Sequence, residues 1–200
     1  MKLFKNRKHM LRKLPRHAVV AEIGVGGGDF SQDILTITSP EKLHLIDPWK
    51  LQVDYHPGVY GHGMWQEEEA TQGKFDQYHD RVQDRFRSLV DEGVVEIHRE
   101  YSHDALAAFP DDYFDWVYID GNHDYEVVKA EFELVLRKVK PGGLITGDDY
   151  MTTAANLGVE YGVKRAVDEF CDEHGWELFF VADKHWKGAN YQSFGLRPRS

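Results

Sequence analysis

The sequence predicts one α/β domain built on a mostly parallel sheet, with helices on both faces and an antiparallel hairpin at its end. Short apolar runs alternate with segments of helical periodicity, which is typical of parallel sheets with crossover helices. The last two apolar runs lie too close together for such a helix. Two hundred residues, 42% of them hydrophobic and 29% charged, suit a single globular domain.

Seven apolar runs are the predicted strands. They cover residues 19–23, 43–46, 94–97, 114–119, 144–146, 176–182 and 190–196. The clearest predicted helix begins at Tyr125, and we expect Pro141-Gly142-Gly143 to stop it. Further helices are expected from about Gln77 and from Val163, the latter stopping at Gly175. The result is a seven-stranded sheet that closes with an antiparallel pair.

Charge divides the chain into a basic arm, residues 1–18, and a domain, residues 19–200. Seven of the 24 Lys and Arg residues lie in the first sixteen positions, and no acid precedes Glu22. We favour an arm helix that packs on its own acidic domain. The alternative is a lid or docking arm for an anionic substrate or partner. Within the domain, residues 48–76 form an extra segment rich in Tyr, His, Gly and Trp, which could cover the substrate.

Composition also bounds the partners and the location. No apolar run approaches the roughly 20 residues that cross a bilayer, and the arm lacks the apolar region of a secretory signal. With Cys171 as the single cysteine, we expect a cytoplasmic protein without membrane contact. The net charge of −10 argues against non-specific nucleic-acid binding. A homodimer is left open.

The loop after the first of these strands reads Glu22-Ile-Gly-Val-Gly-Gly-Gly-Asp29. A dinucleotide fingerprint, G-x-G-x-x-G, fails in both frames because Asp29 or Ser31 stands where the third glycine belongs. Asp29 would also lie at a helix N-terminus, where it would repel a phosphate. The alternative pattern, acid-x-Gly-x-Gly-x-Gly, is complete. Its members are Glu22, Gly24, Gly26 and Gly28.

This loop resembles that of the class I S-adenosylmethionine (SAM) methyltransferases, which implies a Rossmann-like fold and SAM as the cofactor. A loop with carboxylates suits a ligand that carries an ammonium and a sulfonium. Asp47, at the end of the second strand, is expected to accept the ribose hydroxyls, a role that dinucleotide enzymes share. Trp49 is predicted either to stack near the adenine or to pack the loop. Ser102, after the third strand, is our candidate for the adenine pocket.

Three carboxylates follow the fourth and fifth strands. Asp120 ends one strand, and Asp148 and Asp149 end the next. Parallel neighbours bring these side chains to one sheet edge, where their mutual repulsion would raise their pKa values. A Mg²⁺ ion would relieve this repulsion and favours carboxylate ligands. The alternative is that one acid caps a helix and another pairs with Lys or Arg.

The order Asp120-Gly-x-His123-x-Tyr125, long helix, Pro-Gly-Gly and Asp148-Asp149-Tyr resembles the bacterial O-methyltransferases related to the macrocin and catechol enzymes. The resemblance implies Mg²⁺ on Asp120, Asp148 and Asp149, and a base near the metal. The catechol enzymes have a lysine three residues after the first acid, where this chain has His123. The macrocin-like enzymes have an aspartate two residues after it, where Asn122 stands here. We predict His123 as the base, and Asp120 as a residue of both the catalytic and the cofactor site.

The predicted function is metal-assisted methyl transfer from SAM to a hydroxyl of a small molecule, such as a sugar or a phenol. Two alternatives remain open at this point. One is a metal-independent methyltransferase that uses another acceptor. The other is a non-catalytic protein that binds SAM or a partner. A dinucleotide oxidoreductase fits the fold but not the loop.

Overall fold

The computed structural model describes residues 1–51, 71–151, 153–154, 159–183, 185–186 and 189–199. Most of the extra segment predicted at 48–76, including Tyr55, His56, Tyr60, His62 and Trp65, therefore lies outside the described residues. Its last part belongs to a helix that begins five positions before the predicted start at Gln77. Thr71 caps this helix by accepting a hydrogen bond from the backbone N–H of Lys74.

The chain alternates strands and helices as predicted. The strands are β1 Lys2–Phe4, β2 Val19–Ile23, β3 Lys42–Ile46, β4 Val95–His98, β5 Phe114–Ile119, β6 Val139–Gly147, β7 Thr153–Ala154, β8 Val159–Glu160, β9 Trp176–Ala182, β10 His185–Trp186, β11 Ala189–Asn190 and β12 Ser193–Pro198. The helices are α1 Arg7–Leu11, α2 Asp29–Thr38, α3 Gln72–Asp91, α4 Ser102–Ala108, α5 Tyr125–Lys138 and α6 Val163–His174.

Eight strands form the main sheet, in the order β1-β9-β12-β6-β5-β2-β3-β4. β12 runs antiparallel to both of its neighbours, β6 and β9, while the other pairs are parallel. The predicted antiparallel end of the sheet is therefore confirmed. The sheet exceeds the predicted seven strands because β1, from the basic arm, pairs with β9 at the edge.

Helices cover both faces of the sheet, and each face has its own apolar core. One core takes Met10 of α1, Ile34 of α2 and Phe86 of α3 against the sheet. The other takes residues of α4, α5 and α6, among them Leu106 and Phe132. Because both faces are buried, the carboxyl ends of the parallel strands are the part of the sheet that remains for a ligand.

Two predicted strand starts are wrong by three residues or more. β6 begins at Val139 rather than at residue 144, so that Pro141-Gly142-Gly143 lies inside the strand, whereas α5 ends at Lys138, three residues before Pro141, as a proline stop predicts. Gly143 fits there because a Cβ at that position would lie 2.8 Å from the carbonyl oxygen of Asp115. The last strand begins at Ser193 rather than at residue 190. By contrast, α6 ends as predicted, with Gly175 in the left-handed conformation at φ 70°.

The basic arm packs on its own domain. Met10, Leu11 and Leu14 are buried, whereas Leu3 on the outer edge strand is 66% exposed. Lys8 reaches Asp33 of α2 at 2.8 Å. These contacts agree with the favoured interpretation of the arm. Among the described residues, none of the helices combines the length and the apolar character that crossing a bilayer requires.

Candidate functional site

The glycine loop connects β2 to α2 and turns sharply under the carboxyl end of β5. Gly24, Gly26 and Gly28 all have positive φ, at 87°, 53° and 77°. A Cβ on Gly24 would lie 2.1 Å from the carbonyl oxygen of Asp120, so only glycine fits there. The loop and the end of β5 are therefore in direct backbone contact. This places the predicted cofactor loop next to the predicted acceptor site.

Asp47 is held by the loop. Its Oδ2 accepts from the backbone N–H groups of Val25 at 2.9 Å and Gly26 at 3.0 Å, and its Oδ1 accepts from Trp49 at 2.7 Å. Burial raises the pKa of Asp47, and these three donors act against that rise. A carboxylate has about four acceptor positions, so one remains for a further donor such as a ribose hydroxyl.

Trp49 packs the loop from behind. Its side chain is 1% exposed, its φ is 40°, and its indole N–H donates to the carbonyl oxygen of Gly26 at 2.9 Å. Of the two interpretations of Trp49, adenine stacking and packing of the loop, this geometry agrees with packing. Its contact with an adenine stays a prediction.

Asp29 lies in the first turn of α2, as expected from the sequence. Its Oδ1 lies 3.2 Å from Arg81 and 2.6 Å from Arg85 of α3. These two cations offset its charge, so repulsion of a phosphate by Asp29 is a weaker argument than the sequence suggests. The missing third glycine still separates this loop from a dinucleotide fingerprint.

Glu22 is a buried acid at the end of β2, with 1% of its surface exposed. Burial raises the pKa of Glu22 to about 8, although the nearby Ser31 hydroxyl and the charge of Arg7 act in the opposite direction. Its Oε2 has no hydrogen-bond partner among the described residues. An acceptor of this kind fits a cationic ligand group, because an ammonium would both bond to it and restore its charge. The loop, Glu22 and Asp47 together fit SAM.

Ser102 opens α4 and donates its hydroxyl to Oε1 of Glu131, a buried residue of α5. Burial raises the pKa of Glu131 to about 7, and the bond from Ser102 acts in the opposite direction. The sequence analysis missed Glu131. The signal that could have found it is an acid at a position of α5 that otherwise faces the apolar core, between Val128 and Phe132. Ser102 as an adenine contact stays a prediction.

The predicted acids meet at the edge of the sheet, but a residue of the basic arm joins them. Nη1 of Arg7 lies 3.4 Å from Oδ2 of Asp120 and 3.1 Å from Oδ2 of Asp148. The other oxygen of Asp148 accepts from the hydroxyl of Ser193 at 2.8 Å. Sequence reasoning left open that one acid pairs with Lys or Arg, without identifying which. Arg7 lies 113 and 141 residues away from these acids along the chain.

His123 faces the third acid. Its Nε2 lies 2.7 Å from Oδ2 of Asp149, whose backbone is left-handed at φ 61°. Burial alone would lower the pKa of His123, but the bond to Asp149 and the charges of Asp120 and Asp148 raise it above its ordinary value. The ring of Tyr161 lies 4.6 Å away, and a small cavity opens beside His123, Asp120 and Asp148. The imidazole of His123 thus lies against a carboxylate, an arrangement that a general base can use.

The three predicted magnesium ligands do not form one donor set. Ligand atoms of Asp120, His123 and Asp149 lie within 4.8 Å of one another. Asp148 does not belong to this group, and its oxygens face Arg7 and Ser193. An imidazole already paired with a carboxylate is a poor ligand for Mg²⁺, which favours oxygen. The side chains therefore do not fit the three-carboxylate magnesium site that the sequence predicts.

A protein-family profile described as a methyltransferase domain matches residues 21–150. This match spans the glycine loop, the strand ends and the acid pair, and the chain therefore belongs to this methyltransferase family. A search of curated proteins found no significant sequence match.

Solved structures share the fold over nearly the whole chain. An O-methyltransferase of tomaymycin synthesis from Streptomyces achromogenes, in complex with SAM, is 16% identical, with a TM-score of 0.63 over 96% of this chain and 78% of that one. The N-methyltransferase NodS from Bradyrhizobium japonicum is 12% identical, with a TM-score of 0.64 over 97% and 86%. A tRNA methyltransferase from B. subtilis is 11% identical, with a TM-score of 0.62 over 98% and 67%. At these identities the likeness shows the Rossmann-like methyltransferase fold alone.

Proposed function

We propose that the chain is a SAM-dependent methyltransferase that methylates a hydroxyl of a small molecule, such as a sugar or a phenol. Membership of the methyltransferase family supports the reaction class. The observation that carries the hydroxyl acceptor is the His123–Asp149 pair, which lies beside Asp120, whose carbonyl oxygen contacts the glycine loop. The imidazole of His123 therefore lies near the predicted cofactor loop, which supports the proposal.

Bound SAM would supply a methyl group already activated by its sulfonium. The residues of the loop side have the task of holding that cofactor. Glu22 offers a buried carboxylate for a cationic group, and Asp47 offers an acceptor for a ribose hydroxyl. Gly24, Gly26 and Gly28 let the backbone approach closely. Trp49, Ser102 and Asp120 remain proposed contacts of the cofactor.

His123 is the proposed base. When its Nε2–H is donated to Asp149, the neutral ring carries its lone pair on Nδ1, which is the atom that would accept the hydroxyl proton. Asp149 fixes the ring and stabilises the imidazolium that forms. A hydroxyl gains nucleophilic strength when its proton leaves, whereas a neutral amine already has its lone pair. The His–Asp pair therefore favours an oxygen acceptor over a nitrogen acceptor.

The partner and location proposals follow the charge and composition. A net charge of −10 favours a small molecule over tRNA, whose phosphates an acidic surface repels. The cytoplasmic location and the absence of a membrane partner stay predictions, as does a homodimer. The role of Mg²⁺ also stays a prediction. The contacts of Arg7 with Asp120 and Asp148 argue against a metal ion at this position.

Isothermal calorimetry with S-adenosylhomocysteine, and separately with NADH, tests the cofactor. We expect the first to bind and the second not to bind. Methyl transfer is then tested with labelled SAM on panels of sugars, phenols, amines and tRNA. Binding of NADH instead of S-adenosylhomocysteine would reject the cofactor, and label only in the amines or the tRNA would reject the hydroxyl acceptor. Cofactor binding with label in none of the panels would favour the alternative of a non-catalytic SAM-binding protein.

A further inference from the structure

The geometry points to Arg7 as the resident cation of the acid-lined site, in the position for which the sequence predicts a divalent metal. We infer that this guanidinium supplies the counter-charge of Asp120 and Asp148, so that methyl transfer needs no added metal. This inference rests on the proposed function only where it concerns methyl transfer. The position of the Arg7 guanidinium between the acids does not depend on that function and is tested separately.

One nitrogen of Arg7 bridges two neighbouring strands. Nη1 lies 3.4 Å from Asp120, which follows β5, and 3.1 Å from Asp148, which follows β6. A divalent cation shared by these two carboxylates would have to occupy the same space. The guanidinium carbon also lies 4.5 Å from the centroid of the Phe30 ring, so an aromatic face supports the cation from α2.

Asp148 has little freedom to take a metal instead. Its side chain is fully buried, with one oxygen facing Arg7 and the other accepting from Ser193 at 2.8 Å. Mg²⁺ demands near-octahedral oxygen ligands at about 2.0–2.1 Å. To ligate it, Asp148 would have to leave one of these partners in a buried setting, which costs the desolvation of that partner. Removing Arg7 should lift this restriction.

The arm that carries Arg7 is anchored by packing. β1 pairs with β9, and Asn6 caps α1 by accepting from the backbone N–H of His9 at 2.9 Å. Met10 and Leu11 of α1 are fully buried. Arg7 is thus held in place with 25% of its side chain exposed, while the next residue, Lys8, is 61% exposed and pairs with Asp33 instead. Lys8 is therefore a matched control from the same arm.

A guanidinium differs from a bound metal in ways that can be measured. It stays charged at every pH at which the protein is folded, and chelators cannot remove it. Its position depends on the fold of the arm rather than on the concentration of an ion. The acid cluster of the wild-type protein should therefore need no added metal ion. It should become a cation-binding site when the guanidinium is removed.

Titration with Mn²⁺, followed by electron paramagnetic resonance, tests this on the full chain. The variants are Arg7→Met and the control Lys8→Met, and circular dichroism checks their fold. We expect wild type and Lys8→Met to bind Mn²⁺ weakly, and EDTA to leave their melting temperatures and any methyl transfer unchanged. Arg7→Met should bind Mn²⁺ at least about tenfold more tightly, since an attraction of only 1.4 kcal/mol gives that factor. Asp148→Asn in the Arg7→Met background should remove the gain.

Tight Mn²⁺ binding by wild type that Arg7→Met does not increase would overturn the inference, and so would loss of methyl transfer in EDTA. If Arg7→Met fails to fold, Arg7→Lys keeps a cation and should bind Mn²⁺ as weakly as wild type; tight binding by that variant would overturn the inference too. The titration needs no methyl transfer. A chain that binds no S-adenosylhomocysteine but shows the expected Mn²⁺ pattern would reject the proposed function and keep Arg7 as the cation.

Discussion

Two acid-rich regions lie side by side at the carboxyl edge of the sheet, and they satisfy their carboxylates differently. Around the glycine loop, Asp47 accepts from three backbone N–H groups, and Glu22 is buried without a cation bonded to Oε2. At the ends of β5 and β6, Asp148 faces Arg7 and Asp149 faces His123. We propose that the first region accepts a cationic ligand. In the second region Arg7 and His123 already face the acids, and we propose that its chemistry is proton transfer.

The largest expected effect is the loss of turnover when His123 of the second region is replaced. His123→Ala should lower kcat by about 10²–10⁴-fold, because a general base contributes that much, while the affinity for S-adenosylhomocysteine stays unchanged. His103→Ala is the matched control, since that side chain is 65% exposed and contacts its chain neighbours Asp104 and Tyr101. Steady-state kinetics and calorimetry give the two quantities. Near-normal turnover in His123→Ala would remove it as the base.

The pH profile sharpens the same assignment. The pKa of His123 is raised, on balance, by Asp149 and its neighbouring acids against the effect of burial. Because the base must be neutral, kcat should rise with pH through a midpoint above 6.5, the ordinary value for histidine. The stability that the charged pair contributes is present at low pH and is lost as pH rises through this raised pKa. Asp149→Asn should bring both the kinetic midpoint and the stability transition down; an unmoved midpoint would assign the titration to another group.

The contrast between the regions also explains what the sequence could predict. The sequence predicts a cofactor loop because its glycines, Glu22 and Asp47 lie next to strand ends, and local chain geometry brings them together. The acids of the second region were found for the same reason. Their partners were not all found, because Arg7 and Ser193 meet Asp148 only through the order of strands in the sheet. Ion pairs of that sequence separation have no local pattern.

Errors in the fold have a similar cause. Pro-Gly-Gly is a common helix stop, and α5 does end just before it, but β6 already begins at Val139, which pairs with Phe114 of β5 before the ladder resumes at Leu144. Contacts with a neighbouring strand thus outweighed the local signal. The eighth strand was missed because Lys2–Phe4 is too short and too polar to read as a strand until the exposed edge of β9 is known. Sequence alone gave the core strands, whose apolar runs are buried on both faces.

A smaller effect is expected in the first region. Asp47→Ala should weaken binding of S-adenosylhomocysteine by about 1.5–3 kcal/mol, the usual loss for a hydrogen bond to a charged group. Asp84→Ala is the control, because Asp84 pairs with Arg87 on the surface of α3. Calorimetry measures the affinities. Since Asp47 also accepts from the loop N–H groups, the melting temperature of the free protein should fall as well, and an unchanged affinity would take Asp47 out of the site.

Replacing Glu22 should change cofactor binding and protein stability in opposite directions. Burial raises the pKa of Glu22 to about 8, so the folded protein holds a proton that the unfolded chain releases near pH 4.5. Stability should therefore fall as pH rises from about 4.5 to 8. Glu22→Gln lacks this penalty and should melt higher than wild type at pH 8, where 1 kcal/mol corresponds to about 2–4 °C. It should also bind the cofactor more weakly. Melting curves at pH 5 and pH 8 test the first point, and equal pH dependence in both proteins would contradict it.

The smallest effect concerns Trp49, for which packing and adenine stacking make different predictions. Trp49→Phe keeps an aromatic ring but removes the indole N–H that donates to Gly26 at 2.9 Å. If the residue packs the loop, unfolding should become easier by about 0.5–1.5 kcal/mol, the net worth of one hydrogen bond. The affinity for S-adenosylhomocysteine should then follow only the loosening of the loop, and Trp49→Leu should bind as well as Trp49→Phe. If Trp49 stacks on the adenine, Trp49→Leu should bind clearly more weakly than Trp49→Phe. Since the side chain is 1% exposed, we expect the first result, with the loss in stability rather than in binding.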